Sequence, residues 1–265
     1  MSAAAIAMPN VHPLRPLVVH PGAGVPSLAR VPTTCSGCGL RELCLPCGLV
    51  KEDLSRVDEL IYSRRRLRRG EHLYRAGDAF HALHAFRTGF FKSYVQSSDG
   101  RSHVTGFQMA GDVVGLDGIE SGRHSLDVVA LEDAEVCVIP YAELEALAAR
   151  MPALQKHLHR LMSREIVREQ SQLLLLGTMR AESRVAAFLL SLAQRFASRG
   201  YSGSEFNLRM TREEIGSYLG LKLETVSRTF SRFAEEHMIE VHQRHVRIVD
   251  VDRLRGLLAQ PGTGF

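Results

Sequence analysis

The stretch Thr211-Arg-Glu-Glu-Ile-Gly-Ser-Tyr-Leu-Gly-Leu221 decides the fold of the C-terminal part of this chain. It begins with a Thr-x-x-Glu capping box, which satisfies backbone N–H groups at a helix start, and it reaches Gly220, a turn residue. A second helix is predicted to begin near Lys222, so the stretch has the pattern of a helix-turn-helix. Further on, the apolar runs 239–241 and 246–249 flank a polar turn and predict a β-hairpin wing.

The second helix of this motif has two different faces. Its apolar residues can pack inward: Val226, Phe230 and Phe233. Glu224, Ser227 and Arg228 then share one outward face at i, i+3 and i+4. Arg can bond guanine, Glu can accept from cytosine N4, and Ser can contact a base or a phosphate, so this face suits the DNA major groove. The same trio also occurs on plain solvated helices, and it is the surrounding motif that favours DNA binding.

The cysteines are the second unusual feature of the sequence. Three have the spacing Cys35-x2-Cys38-x5-Cys44, Cys47 follows closely, and Cys137 lies far downstream. Thiolates suit soft metals and iron-sulfur clusters. An odd count with four cysteines crowded together favours metal binding over disulfides in a reducing compartment.

The spacing leaves the ligand set open. Cys35, Cys38, Cys44 and Cys47 form two Cys-x2-Cys pairs and permit a zinc knuckle, although the loop between the pairs is shorter than in common zinc ribbons. Cys137 stands in an apolar strand pattern, where an isolated cysteine is usually a small buried hydrophobe. For Cys47, as a fifth thiol, no special role is the preferred interpretation.

Between the cysteines and the helix-turn-helix, the pattern changes twice. A short helical pattern runs from Lys51 to about Ile61, and then short apolar runs are punctuated by glycines. The glycines stand at 70, 77, 89, 100, 106, 111, 115, 118 and 122. Runs such as 90–95 and 136–139 are rich in aromatic and β-branched residues, so this region is predicted to be a β-roll of the jelly-roll type with glycines in its turns. With the helical parts, the fold class is α+β.

After Pro152 the periodicity becomes helical. One stripe carries Leu154, Leu158, Met162, Ile166, Glu169, Leu173 and Leu176. Either the helix covers its own domain's core, or it forms a coiled-coil seam between two subunits. At a two-fold seam, Glu169 beside Ile166 would face its symmetry mate, and like charges repel in partly dry surroundings. Such a seam would be weak, and these two residues form a candidate dimer switch.

Composition limits the class of protein. The 265 residues are 45% hydrophobic and 23% charged with a net charge of +4, as expected for a globular protein of two domains with a modest preference for anionic partners. No run approaches the roughly 20 apolar residues of a membrane span, and the N-terminus lacks a secretory pattern, so we expect a cytoplasmic protein without a membrane partner. Ser, His and Asp form no nucleophile motif, which argues against an enzyme.

Four motifs occur in an order that resembles the FNR branch (fumarate and nitrate reduction regulators) of the CRP/FNR superfamily of transcription factors. They are Cys-x2-Cys-x5-Cys-x-Pro at 35–46, Thr-Gly-Phe-Gln-Met-Ala-Gly-Asp-Val-Val-Gly at 105–115, Val-Cys-Val-Ile-Pro at 136–140, and Glu-Thr-Val-Ser-Arg at 224–228. The resemblance covers about residues 35 to 255. Cys47 departs from it, since an apolar residue is usual at that position.

The resemblance implies a [4Fe-4S] cluster held by Cys35, Cys38, Cys44 and Cys137. It implies a homodimer that binds double-stranded DNA without oxygen, at inverted repeats of TTGAT-like half-sites, and a monomer once oxygen degrades the cluster. It also places the loop 97–101 where the family contacts RNA polymerase.

Two other ligands are weaker hypotheses. The segment 115–126 lacks the Gly-Glu-Leu and Arg-Ser-Ala pattern of the cyclic-AMP-binding branch, although Arg123 or His124 would suit an anion. A haem sensor would need a ligand such as His81 or His84, and no Cys-x-x-Cys-His occurs.

These patterns divide the chain into five parts. They are a proline-rich tail predicted to be disordered (1–30), a cysteine-rich cluster-binding segment (31–50), a β-roll sensor domain (51–150), a dimerisation helix (151–178) and a winged helix-turn-helix domain (179–265).

Overall fold

The computed structural model describes residues 34–60, 63–97 and 100–258. It contains an N-terminal β-roll, a long helix and a C-terminal winged helix-turn-helix, which confirms the predicted fold class. The predicted tail (1–30) lies outside the described residues. None of the helices within them is long and apolar enough to cross a membrane.

Two four-stranded antiparallel sheets form the β-roll. Their strands are β1 (Ser63–Leu67), β2 (His72–Tyr74), β3 (Ala82–Thr88), β4 (Phe90–Gln96), β5 (Ser102–Met109), β6 (Val113–Val114), β7 (Asp127–Ala130) and β8 (Ala134–Pro140). The orders are β1-β8-β3-β6 and β2-β7-β4-β5. Between the sheets, Phe86 and Phe91 stack with ring centroids 4.0 Å apart, and both are fully buried. Burying one such side chain contributes about 1.5–3 kcal/mol, so this pair is central to holding the sheets together.

Most of the glycines of this region occupy turns, as predicted. Gly89 has φ +88° between β3 and β4, and a Cβ at this position would lie 2.5 Å from the Cβ of Ala134. The prediction is wrong for Gly106, which lies inside β5. A Cβ there would lie 2.8–3.1 Å from Gln108, Ser93 and Arg168, so close packing rather than a turn requires this glycine.

The outer face of the β1-β8-β3-β6 sheet is covered by helices and by the cysteine segment (residues 34–50). Helix α1 (Lys51–Leu60) and helix α2 (Tyr141–Ala148) pack there. Leu45 of the cysteine segment is fully buried in the same apolar cluster, so the segment is part of the folded domain.

Helix α3 (Pro152–Thr178) begins with a proline in its first turn, where a missing N–H costs nothing. Its apolar stripe has a different environment at each end. Leu154 is fully buried against the β-roll, whereas Ile166 is 54% and Leu173 69% exposed in the single chain. The first part of α3 therefore covers its own domain's core. Further along, Leu175 packs against the C-terminal core, whereas Ile166 and Leu173 are left uncovered in the single chain.

The C-terminal part is a winged helix-turn-helix. Its elements are α4 (Ala181–Ala197), β9 (Glu205–Asn207), α5 (Arg212–Leu219), α6 (Leu223–Glu235), β10 (Ile239–His242), β11 (His245–Ile248) and α7 (Val251–Gly256). Thr211 Oγ1 accepts from the backbone N–H of Glu214 at 3.1 Å, and the Glu214 carboxylate accepts from the N–H of Thr211 at 2.7 Å. This is the predicted capping box. Gly220 ends α5 with φ +62°. The wing gains a third strand, β9, which the sequence pattern did not predict.

One apolar cluster spans the β-roll and the winged helix-turn-helix. Phe90, Val104, Phe107 and Met109 of β4 and β5 belong to the same cluster as buried residues of α4, α5 and α6. The two parts therefore share a core, and α5 lies directly against β5.

Polar contacts reinforce this shared core. Lys92 Nζ lies 2.7 Å from Glu214 Oε1, and Ser217 Oγ accepts from the backbone N–H of Val104 at 2.9 Å. Asp112 accepts from Arg195 at 2.5 Å and from Arg199 at 2.7 Å. Burial lowers the pKa of Arg199, and the neighbouring Asp112 opposes this shift, so the guanidinium keeps its charge and its partner.

Candidate functional site

The cysteine segment is anchored to α1 at its first cysteine. The Asp58 carboxylate accepts hydrogen bonds from the backbone N–H groups of Cys35 and Ser36, and from Ser36 Oγ at 2.6 Å. Successive turns then carry the chain onward, with the N–H of Cys38 donating to the Cys35 carbonyl at 3.1 Å. The thiol of Cys35 is thereby held in the buried layer between α1 and the sheet.

Cys137 enters the same layer from the sheet. It lies in β8 between Arg64 of β1 and Ala85 of β3. Side chains alternate along a strand, and Val136 points into the core between the sheets, so Cys137 points to the outer face. There it shares an apolar cluster with Cys35 and Cys44, although about 90 residues separate it from them in sequence.

The four thiols predicted as ligands act on one another electrostatically. Burial raises the pKa of Cys35 well above its ordinary value, with further contributions from Cys44, Asp58, Cys137 and Cys38. Burial also raises the pKa of Cys44 to about 12 and that of Cys137 to about 11, and in each case neighbouring thiols contribute. Each of the six pairs among these four thiols contributes to one of these pKa increases, because thiolate charges in a poorly hydrated space repel each other. Cys38 therefore lies near the three thiols that share the apolar cluster.

Cys47 does not take part in this group. It is not among the groups that raise the pKa values of Cys35, Cys44 and Cys137, whereas Cys38 is. Its backbone N–H donates to the Cys44 carbonyl at 3.1 Å, one turn further on.

The donor set fits a cluster better than a single ion. All five cysteines are free thiols. Within residues 34–60, 63–97 and 100–258, no three His, Cys, Asp or Glu side chains are close enough to hold one metal ion. A tetrahedral zinc with Zn–S bonds of about 2.3 Å needs four sulfurs within about 4 Å of each other. A [4Fe-4S] cluster takes one thiolate at each of its four irons, so a wider group of four neighbouring thiols suits it.

The recognition helix α6 presents the predicted face to solvent. Val226, Phe230 and Phe233 are buried, as predicted, and Glu224 and Arg228 are exposed.

Ser227 is half-buried on the same helix. Glu224 and Arg228 form no ion pair with each other or with another residue in the described part of the chain. Both side chains are therefore free for an external partner.

Sequence reasoning missed Arg212 at the start of α5. Its guanidinium lies 3.3 Å over the ring of Phe230 from α6, and burial lowers its pKa to about 10. This contact fixes the angle between the two helices of the motif. An arginine one residue after a capping threonine has no sequence pattern that would identify such a role.

The residues of the rival anion site serve the β-roll itself. Arg123 donates to the Gly77 carbonyl at 2.7 Å, and the buried ring of His124 stacks on Tyr74 with centroids 3.6 Å apart. The Asp117 carboxylate accepts from the backbone N–H groups of Ser125 at 2.8 Å and Leu126 at 3.3 Å. The segment thus uses its own polar groups internally.

The two candidate haem ligands do not face each other. His81 is exposed, whereas His84 is half-buried beside Tyr74 with ring centroids 5.9 Å apart. Burial lowers the pKa of His84 to about 3, so it is neutral at physiological pH.

Three further predicted positions lie on the surface. Ile166 and Glu169 are exposed on α3, where Glu169 helps burial to raise the pKa of Glu165. The predicted polymerase loop joins β4 to β5, and the backbone N–H of Ser97 donates to the Arg101 carbonyl at 2.8 Å. Residues 98–99 of this loop lie outside the described residues.

A β-roll joined by a long helix to a winged helix-turn-helix defines a dimeric, DNA-binding regulator of transcription. The cyclic nucleotide-binding domain family matches residues 64–151, and the Crp-like helix-turn-helix domain family matches residues 183–257. The chain belongs to the CRP/FNR family, in its FNR branch. Its relatives are regulators of transcription and not enzymes.

Individual relatives support this membership. The transcriptional regulatory protein btr of Bordetella pertussis is 47% identical over 226 residues, which is 85% of this chain and 93% of that protein. The fumarate and nitrate reduction regulatory protein of Escherichia coli is 42% identical over 223 residues, 84% of this chain and 89% of that protein. Among solved structures, FixK2 from Bradyrhizobium japonicum matches with a TM-score of 0.69 and 32% identity, covering 75% of this chain and 98% of that chain.

Proposed function

We propose that this protein is an oxygen-responsive regulator that acts in the cytoplasm and binds a [4Fe-4S] cluster through Cys35, Cys38, Cys44 and Cys137. The observation that carries the proposal is the packing of Cys137 of β8 in one apolar cluster with Cys35 and Cys44 of the cysteine segment, with Cys38 close enough to raise the pKa of all three. The relatives named for fumarate and nitrate reduction support it.

In this proposal the protein's own residues convert cluster loss into movement. Cys137 belongs to the sheet, whereas Cys35, Cys38 and Cys44 belong to the cysteine segment, so holding one cluster ties the segment to the β-roll. The cluster supplies sensitivity to oxygen, which dismantles it. Without it, the segment keeps the Asp58 hydrogen bonds and the apolar packing of Leu45 and Leu49 but loses the link through Cys137.

The output is transcription from specific sites. Glu224, Ser227 and Arg228 on the free face of α6 are proposed to contact base edges in TTGAT-like half-sites. An inverted repeat matches the two-fold symmetry of a dimer. The β4–β5 loop is proposed to contact RNA polymerase.

The dimer itself is proposed to respond to the cluster. The exposed apolar residues of α3, among them Ile166 and Leu173, need a second copy to cover them. Glu169 beside Ile166 would oppose that contact by repelling its symmetry mate, so the seam forms only when cluster binding favours it.

Anaerobic reconstitution tests the function. The protein is incubated with iron and sulfide without oxygen, desalted, and analysed for iron, sulfide and zinc with an optical spectrum. We expect about four iron and four sulfide per chain, as a [4Fe-4S] cluster requires, and DNA binding that disappears in air. Stoichiometric zinc, or DNA binding that is equal with and without the cluster, would contradict the proposal.

A further inference from the structure

His157 connects the dimerisation helix to the cysteine segment. It lies in the second turn of α3, is only 2% exposed, and faces the layer that contains the cysteines. Leu154, one turn earlier on α3, shares an apolar cluster with Leu45 of the cysteine segment. An imidazole is thus enclosed at the junction of the proposed sensing segment and the helix that carries the dimer surface.

The ring of His157 has polar atoms without partners. Both Nδ1 and Nε2 are buried, and neither has a hydrogen bond within the described residues. Burial lowers the pKa of His157, helped by Arg164 and Arg160, and the backbone carbonyl of Cys44 opposes this shift. The carbonyl therefore faces the ring, although it lies outside hydrogen-bonding geometry. Whichever ring nitrogen carries a hydrogen, it is a buried donor without a partner among the described residues.

An enclosed donor without an acceptor is rare in native proteins, because losing water without gaining a partner is unfavourable. The cysteine segment is close enough to supply an acceptor, since the Cys44 backbone acts on the ring. A cysteine that holds a metal is a thiolate, and residues around metal ligands commonly donate hydrogen bonds to them and fix their orientation. The ring is thus placed to gain its partner when Cys44 becomes a ligand.

We propose that His157 is a positioning residue that donates a hydrogen bond to Cys44 in the cluster-bound protein and so couples cluster binding to the position of α3. The inference rests on the proposed function and deepens it. The apolar contact between the segment and α3 persists in both states, whereas the hydrogen bond exists only in one. The hydrogen bond therefore links the position of the later, exposed part of α3 to whether the cysteines hold a cluster.

The test compares four variants with the unmodified protein. His157→Leu replaces the donor with an apolar side chain that fills the space. His157→Gln and His157→Asn each provide an amide N–H donor, on side chains of different length. His159→Leu is the matched control, because His159 is exposed on the same helix two residues away. Each protein is reconstituted anaerobically, and its iron content is determined by chemical analysis. Its dimer dissociation constant is then measured by sedimentation, with and without the cluster.

We expect His157→Leu to take up iron but to dimerise about tenfold more weakly in the cluster-bound state, the factor that one hydrogen bond to a charged group is worth. Its cluster-free dimerisation should not change, which a general loss of packing would not allow. At least one of the amide variants should regain tight dimerisation. His159→Leu should behave like the unmodified protein.

Three results would overturn the inference. If the unmodified protein takes up no iron, the proposed function fails and the coupling fails with it. If iron is bound and His157→Leu dimerises as tightly as the unmodified protein, the coupling alone fails. If His157→Leu does not fold, the amide variants decide, and equal weakening of both in the two states would assign His157 a packing role only.

Discussion

At the scale of single residues, the position of Cys137 is decided by the alternation of a β-strand. Val136 fills the core between the sheets, and its neighbour is directed to the opposite face, where the cysteine segment lies. A shift of one residue in the register of β8 would place the thiol between the sheets instead. The pairing with both β1 and β3 fixes that register, so the Cys137 sulfur lies on the face of the sheet that the cysteine segment covers.

The ligand assignment predicts different results at two cysteines. Cys137→Ser should abolish the anaerobic cluster, because the remaining three neighbouring thiols leave one iron without a ligand. Cys47→Ser should retain it, because Cys47 lies outside the coupled group. Iron and sulfide content with the optical spectrum measures both. Loss of the cluster in Cys47→Ser with retention in Cys137→Ser would show that the ligand set is wrong.

The recognition helix predicts a base-specific effect. Arg228→Ala should weaken binding to the preferred half-site by about 1–3 kcal/mol and relax the preference at one base pair, as expected for loss of a bidentate contact to guanine. Lys222→Ala, which removes an exposed cation just before α6, is the comparison and should not change the base preference. Binding at fixed salt to a panel of half-site variants measures this. Uniform weakening across the panel by Arg228→Ala would assign Arg228 to a phosphate contact.

Local sequence patterns identified the residues whose structural role depends on their neighbours in the sequence. The capping box at Thr211 and the inward residues of α6 follow from helix geometry and are confirmed. His157 and Arg212 were missed because their environments come from elements distant in sequence. His157 lies on the face of α3 that buries Leu154, whereas His159 lies on the exposed face, and only the structure shows how completely the first is enclosed.

At the scale of elements, α3 has two functions along its length. Its periodicity is uniform, so the sequence left two interpretations open for the whole helix. The structure assigns the buried stripe around Leu154 to the domain core, and it leaves Ile166 and Leu173 uncovered. A helix that packs on the cysteine segment at one end and leaves an apolar stripe uncovered further along is suited to carry a change at the segment toward a partner subunit.

The uncovered part of α3 predicts that a single charge controls dimerisation. Glu169→Ala should produce a dimer with DNA affinity in air, because removing two facing charges from a partly buried seam is worth a few kcal/mol. Glu145→Ala, which removes an exposed carboxylate from α2, is the control and should leave the cluster-free protein monomeric. Sedimentation at matched concentrations in air measures both. A monomeric Glu169→Ala protein would show that Glu169 is a solvated residue outside the seam.

The strand β9 shows why some elements were not predicted. It has three residues, Glu205–Asn207, of which only Phe206 is buried. A segment this short has no alternation to detect, and its strand conformation depends on pairing with β11. His245 and Glu205 strengthen that pairing with a contact of 2.9 Å, so the wing is held by a partner about 40 residues earlier in the chain.

At the scale of the whole molecule, the β-roll and the winged helix-turn-helix are joined by charge as well as by apolar packing. Asp112→Asn should lower the free energy of unfolding by about 2 kcal/mol, because hydrogen bonds from Arg195 and from Arg199, whose side chain is 6% exposed, would lose their charged acceptor. Denaturation in urea followed by circular dichroism measures the change in the cluster-free protein.

Glu132→Gln is the matched control for this experiment. It breaks the exposed ion pair with Arg209, which also joins the two parts of the chain, and should cost less than about 1 kcal/mol. Equal effects of the two substitutions would show that the Asp112 contact does not contribute more than an ordinary surface pair.

The shared core also limits how this protein can be recombined. The two family matches, residues 64–151 and 183–257, suggest modules that could be exchanged between regulators. In this chain, exchanging one module would separate a group of apolar side chains of the β-roll from the helices that bury them: Phe90, Val104, Phe107 and Met109. A chimaera that kept this β-roll and took its DNA-binding part from elsewhere would expose an apolar face to water, unless the new α4 and α5 were complementary to it. A new promoter specificity is therefore better introduced by substituting the outward residues of α6 than by exchanging the whole DNA-binding domain.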